Sequence, residues 1–375
     1  MDKGADITIT HWTEHVKKLG RVFIYNNVLW LSYSGTGIEW ECDGQFEIKL
    51  AADDLVNSCT QLNASEKSIH YARYAILQDD VKIVDKRMDV ASRVIRFTAE
   101  GHHVYRFIKL SESADSSLGI VSLTDAEGGI EGIRPAPAAR LKMEFIGDSI
   151  TCGYGVEGSL SETYTTATEN VMKAWGYLVA KRFNADYSIV SKSGAGIISG
   201  YTDTGVRNLD NILTGYYTKM GCSAFGMDGM KPSDIEYDFS FEPDIIVVNA
   251  GTNDISYCAP QDPSVAAQFG QEELKERKKL FYSVYKHFLE EIREKNPFAR
   301  ILCVLGIMGE PLNETARMAV NDLKAEGDAR LWWLPLTDQD PANGYGTDYH
   351  PNERTQRELA VTIGDYVEKI LRKEA

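Results

Sequence analysis

The chain has 375 residues, 43% hydrophobic and 25% charged, and a formal net charge of −15; one compact core rarely holds that length, so a soluble protein of two domains is expected. No run approaches the roughly 20 apolar residues that cross a bilayer. The acidic balance leaves no basic excess to neutralise phosphates, which excludes nucleic acid and anionic membrane as partners and disfavours a polyanionic substrate.

The opening stretch, MDKGADITITHW, lacks both an apolar core and a small-residue cleavage site. It is not read as a signal peptide, so the expected location is cytoplasmic unless a leader had been removed. Short runs rich in aromatic and β-branched residues follow: RVFIYNNVLWLSY, GQFEIKLA, YAILQDDVKIVD, VASRVIRFTA and HHVYRFIKLS. Tyr25-Asn26-Asn27, Gly35-Thr36-Gly37 and Asp79-Asp80 separate or interrupt them. Strands and turns at this spacing predict an antiparallel β-sandwich, a jelly roll, over residues 1–130. Its Trp12, Trp30 and Trp40 suit either a core or a glycan-facing surface. His102-His103 reads as a strand pair, not a metal site. The stretch EGGIEGIRPAPAAR, residues 127–140, has the Gly and Pro content of a stiff linker.

From residue 140 to 375 strands and helices alternate. LKMEFIG, DYSIVS, PDIIVVNAG, ARILCVLGI and LWWLPL are the strands. ATENVMKAWGYLVAKRF reads as a helix with Val171, Trp175, Leu178 and Val179 on one face. In the helix QEELKERKKLFYSVYKHFLEEIREK, Leu280, Val284, Phe288 and Ile292 are in step. Two more helices, ETARMAVNDLKAEG and NERTQRELAVTIGDYVEKILRK, complete the pattern. The fold class is α/β: an open parallel sheet with helices on both faces, whose ligands bind at the carboxyl ends of the strands. The six cysteines (Cys42, Cys59, Cys152, Cys222, Cys258 and Cys303) form no CxxC pair, so neither a zinc site nor a redox motif is expected.

Polar and glycine clusters follow the strands: Gly147-Asp148-Ser149, Ser193-Gly194-Ala195-Gly196 and Gly251-Thr252-Asn253-Asp254, with Asp348-Tyr349-His350-Pro351 near the carboxyl end. They converge on one sheet edge, where sites are usually built. A serine hydroxyl is a weak nucleophile until a base takes its proton. Ser149, in a tight turn between strand and helix, is the candidate nucleophile. Beyond residue 140 the only histidines are His287, inside the long amphipathic helix, and His350, on a loop before a helix; His350 is the candidate base.

The blocks GDSITCGYG, SGAG, GTND and DYHP, in that order, resemble those of the SGNH/GDSL hydrolase superfamily from Leu141 onward. With a β-sandwich in front, the chain resembles carbohydrate esterase family 2, two-domain enzymes that remove acetyl groups from plant polysaccharides such as xylan. The resemblance implies a flavodoxin-like three-layer α/β/α hydrolase domain and an acetyl-enzyme intermediate on Ser149. It also implies an oxyanion hole made of the Ser149 and Gly194 backbone N–H groups and the Asn253 side-chain amide. No metal or organic cofactor is implied. Many superfamily members carry the acid three residues before the histidine; here that position is Thr347. Asp348 is the candidate orienter, because residues i and i+2 of an extended segment point the same way. A main-chain carbonyl, Asp338 and Asp340 stay open as alternatives. Asp254 reads as structural, bracing the GTND loop.

An acetylated oligo- or polysaccharide is the expected partner, and a homo-oligomer is left open. Lysophospholipase or thioesterase chemistry on longer acyl esters is one rival; a glycan-binding protein with weak or no turnover is another. The insertion between the second and third strands either offers Tyr216, Tyr217 and Phe225 to a substrate cleft or packs on itself as a surface loop, and of Trp332 and Trp333 one is expected in the core and the other is a candidate for the cleft.

Overall fold

In the computed structural model residues 11–372 are described; residues 1–10, on which the reading of a leader rests, lie outside them. The chain forms two units. The first takes residues up to 139 together with Tyr164–Glu169 and Lys219–Tyr237, and the second takes the remainder.

The first unit is an antiparallel sheet of nine strands: β1 (Lys17–Leu19), β2 (Val22–Tyr25), β3 (Val28–Leu31), β4 (Gly37–Ala52), β5 (Arg73–Gln78), β6 (Val81–Arg87), β7 (Ser92–Lys109), β8 (Leu118–Asp125) and β9 (Arg134–Pro135). Two hairpins are set by turns with positive φ at both central residues, Asn26 and Asn27 (49° and 59°) and Asp79 and Asp80 (48° and 65°); these are the turns whose twist matches paired strands. The two runs VASRVIRFTA and HHVYRFIKLS are one long strand, β7, paired with β4 on either side of Ala99–Gly101. The register shifts between Asp43 and Gln45, where Gly44 takes φ 75°. Ahead of that shift β4 pairs with β1 and β9; beyond it, with β8. The expected sandwich is thereby built from a single curled sheet. Trp12, Trp40, Phe46, Tyr74, Tyr105 and Phe107 are buried in its main core, and Trp30 joins Phe23, Met220 and Met227 in a second cluster. Part of the expected linker is stitched down, since β9 pairs Arg134 with Glu41 and Pro135 with Trp40.

The second unit has five parallel strands: β10 (Lys142–Gly147), β11 (Asp186–Ser191), β12 (Ile245–Asn249), β13 (Arg300–Leu305) and β14 (Leu331–Pro335). Their order, β11-β10-β12-β13-β14, is that of a flavodoxin-like sheet. β12 is buried along its whole length, as a central parallel strand covered on both faces must be. The long helix Gln271–Lys295 buries Phe281, Tyr285, Phe288, Leu289 and Ile292, while Leu280 is 37% exposed. The aromatic rings at 281 and 285, with more area to bury than Leu280 and Val284, set the inward face. The segment read as one helix over 167–183 holds a short 3-10 turn, Val171–Lys173, followed by the helix Trp175–Arg182. Among the described residues no helix is long and apolar enough to cross a membrane.

Candidate active site

β10 ends at Gly147, and a Cβ there would lie 2.2 Å from Thr151 Oγ1 and 2.9 Å from the Asn249 carbonyl. Only glycine allows the chain to turn so tightly into the short helix Ser149–Cys152. Asp148 caps that helix, accepting the Ile150 N–H at 3.1 Å. Full burial pushes the Asp148 carboxyl up to about 7. Ser149 is left 6% exposed at the carboxyl end of the sheet.

His350 Nε2 lies 2.7 Å from Ser149 Oγ. Its Nδ1 lies 3.1 Å from the Asp348 carbonyl and 3.2 Å from the Thr347 carbonyl. A carbonyl only accepts, so Nδ1 carries the ring proton and Nε2 faces the serine hydroxyl as an acceptor. Burial pushes the imidazole below its ordinary value, and the two carbonyls oppose that shift.

The contact expected between the Asp348 carboxylate and the imidazole is not the one made. Asp348 (φ 51°) and Tyr349 (φ 61°) both occupy the left-handed region, which costs roughly 1–2 kcal/mol per residue outside glycine. The segment is therefore not extended, and the i, i+2 argument does not hold there. The carboxylate accepts the Tyr154 hydroxyl at 2.8 Å, and the same residue's carbonyl meets Nδ1. Asp340 caps the turn Pro341–Asn343, accepting the Ala342 N–H at 2.9 Å, and Asp338 accepts the Gln339 N–H at 2.9 Å.

Gly194 turns with φ 71°. Asn253 Nδ2 donates to the Ala195 carbonyl at 2.8 Å and lies 3.5 Å from Asp148 Oδ2. Asp254 ties two loops together: its carboxylate accepts the N–H groups of Ile197, Ile198 and Ser199 at 2.7, 2.7 and 3.0 Å. It thus braces the loop that holds Gly194. Burial lifts it to about 6, and the three amides pull the other way.

Ser149, Gly194, Asn253 and His350 all line one cleft of about 850 Å³, with Tyr201 and Tyr349 also on its wall. Those tyrosines are 56% and 64% exposed. Sequence reasoning passed over both. Tyr349 sits inside the DYHP block, between Asp348 and His350. The aromatics singled out instead do other work. Tyr217 is fully buried and accepts from Asn296 Nδ2 at 2.8 Å. Tyr216 takes the Lys192 ammonium at 2.8 Å, and Phe225 belongs to the first unit. Trp332 and Trp333 are half-buried on the sheet and do not line the cleft.

Residues 145–358 match the model of the GDSL-like lipase/acylhydrolase family, more than half of the chain. The chain belongs to this family. Among curated family relatives, the cellulase/esterase CelE of Acetivibrio thermocellus is 30% identical over 277 residues, 72% of this chain. The chain spans only 30% of CelE's length. An acetylxylan esterase / glucomannan deacetylase of Cellvibrio japonicus is 28% identical, with 76% of this chain and 74% of that protein aligned. Two solved structures share the two-domain fold. One is the acetyl xylan esterase Est2A of the rumen bacterium Butyrivibrio proteoclasticus (TM-score 0.79, 22% identity, 96% of each chain). The other is a family two carbohydrate esterase of Clostridium thermocellum in complex with cellohexaose (TM-score 0.75, 23% identity, 95% of this chain and 99% of that one).

Proposed function

We propose that this chain is a serine esterase that removes O-acetyl groups from neutral plant-type oligo- or polysaccharides, with its catalytic domain at 140–375 and a sandwich-type domain at 1–130. The observation that carries the reading is the 2.7 Å contact between Ser149 Oγ and an imidazole whose other nitrogen is committed to carbonyls.

Ser149 Oγ attacks the acetyl carbonyl carbon while its proton passes to His350 Nε2. The oxyanion so formed is held by the backbone N–H groups of Ser149 and Gly194 and by the Asn253 amide. One Asn253 N–H is fixed on the Ala195 carbonyl, which sets the amide plane. Collapse expels the sugar oxygen, which takes the proton from His350 and leaves acetyl-Ser149. Water then enters, gives its proton to His350 and releases acetate by the reverse sequence. The exposed rings of Tyr201 and Tyr349 offer flat apolar faces to a sugar, and the relatives' names support a carbohydrate ester as substrate.

The test is p-nitrophenyl acetate hydrolysis by the native protein and Ser149→Ala, with acetylated xylan alongside. A loss of about a thousandfold or more in the variant is expected, with acetate released from xylan by the native protein alone. Equal rates would remove Ser149 from the mechanism. Turnover that rises from acetate to longer acyl esters would move the substrate to lipids or thioesters.

A further inference from the structure

Tyr154 touches each part of the serine–histidine pair. Its backbone N–H donates to the Ser149 carbonyl at 3.1 Å. Its ring packs 4.4 Å from the His350 ring, centroid to centroid, and its hydroxyl donates to Asp348 Oδ2 at 2.8 Å. The next residue adds a second tie, since the Thr347 N–H donates to the Gly155 carbonyl at 3.1 Å. Gly155 is at φ 56°, and a Cβ on it would lie 2.5 Å from Thr347 Cβ, so the approach is as close as a backbone permits.

These ties end on the turn that holds the base. Asp348 and Tyr349 are consecutive non-glycine residues in the left-handed region, a strained arrangement that persists only where its surroundings enforce it. The peptide between them must be rotated so that the Asp348 carbonyl faces Nδ1. An extended Asp348 would turn that carbonyl away and leave Nδ1 with the Thr347 carbonyl alone.

We infer that Tyr154 is a positioning residue that, through its hydroxyl on the Asp348 carboxylate, locks the left-handed turn whose carbonyls orient His350. On this view the Asp348 side chain works on the backbone of the turn and not on the imidazole. The inference rests on the serine-esterase reading above, and the experiment separates the two.

Kinetics of p-nitrophenyl acetate hydrolysis would be measured for Tyr154→Phe, Asp348→Ala, Asp348→Asn and the double variant Tyr154→Phe/Asp348→Ala, with Ser149→Ala as control. Tyr154→Phe keeps the ring and loses only the hydroxyl. A charge-assisted hydrogen bond of this kind corresponds to about tenfold in rate. We expect kcat to fall about tenfold in Tyr154→Phe and in Asp348→Ala, with KM changed less than about twofold. The double variant should be no worse than either single one, because both remove the same contact. Asp348→Asn keeps an acceptor for the tyrosine and tolerates positive φ, so it should recover most of what Asp348→Ala loses. The proposal is overturned if Tyr154→Phe turns over like the native protein, if the two losses multiply, or if Asp348→Asn is as damaged as Asp348→Ala, which would mark the carboxylate as the acid that orients the imidazole. If Ser149→Ala stays active, the esterase reading itself falls.

Discussion

The two units each hold a histidine with a serviceable partner, and the partners differ. In the first unit His70 Nδ1 meets the Asp115 carboxylate at 2.7 Å. In the second, His350 Nδ1 meets only carbonyl oxygens. The Asp115 hydrogen bond raises His70 above its ordinary value, whereas burial lowers His350. An acid partner makes a histidine hold its proton; carbonyl partners orient the ring and leave it a free base. The Asp–His pair that a triad would call for stands where no reaction is proposed, beside a Tyr164 hydroxyl shared between Asp115 (2.6 Å) and Glu169 (2.8 Å). Tyr164 has one proton and faces both carboxylates, so its hydroxyl ties the two acids together. Burial beside Glu112 and Asp115 pushes Glu169 well above its ordinary range.

The sharpest way to break this contrast is to delete each histidine. His350→Ala should lose about 10³–10⁴-fold in kcat on p-nitrophenyl acetate. His70→Ala should leave kcat unchanged and lower unfolding stability by about 1–2 kcal/mol, the loss of a half-exposed charged hydrogen bond, as read by urea titration. A large kinetic effect of His70→Ala would end the comparison.

Next in size is Asp254→Ala. It strips the acceptor from three consecutive N–H groups in the loop that carries Gly194. A displaced oxyanion donor should lower kcat about a hundredfold, with KM nearly constant. Asp254→Asn, which keeps one acceptor oxygen, should fall between the two.

The smallest effect is a pH dependence. A raised histidine stabilises the fold fully below the unfolded value of 6.5, and loses that contribution as pH rises through its folded value. Glu169, raised above 4.5, is still protonated in the native state where the unfolded chain has ionised, so stability also falls as pH rises from there. Both signs agree, and Tm should drop by a few degrees between about pH 5.5 and about pH 8.5. Glu169→Gln should flatten that slope. In the second unit, the acid limb of kcat/KM should have its midpoint below 6.5; a midpoint above it would give His350 the character of His70.

Much of this was legible in the sequence. The five parallel strands, the blocks behind them and the hairpin turns at Asn26-Asn27 and Asp79-Asp80 are local patterns, and local patterns survive folding. Ser149, Gly194, Asn253 and His350 line one cleft, as their placement after strands implied. What stayed hidden depends on backbone angles or on distant packing. Nothing in DYHP announces two left-handed residues, so the Asp348 carboxylate was aimed at the wrong partner. Tyr201 and Tyr349 are ordinary tyrosines until the loops fold. VASRVIRFTA and HHVYRFIKLS read as two runs, yet β7 continues past Gly101 along β4.

The first unit closes only when residues far along the chain arrive. Met220 and Met227 pack with Phe23 and Trp30, the Cys222 N–H donates to Ser113 Oγ at 2.8 Å, and Arg21 Nη1 donates to the Lys219 carbonyl at 3.2 Å. Synthesis proceeds at about 5–20 residues per second, so the segment Lys219–Tyr237 emerges several seconds after residue 139. Through that interval the curled sheet has an uncovered apolar patch at Phe23 and Trp30. A fragment cut at residue 139 would keep it uncovered permanently, and excising the sheet as a free-standing module would require that later segment to be grafted back.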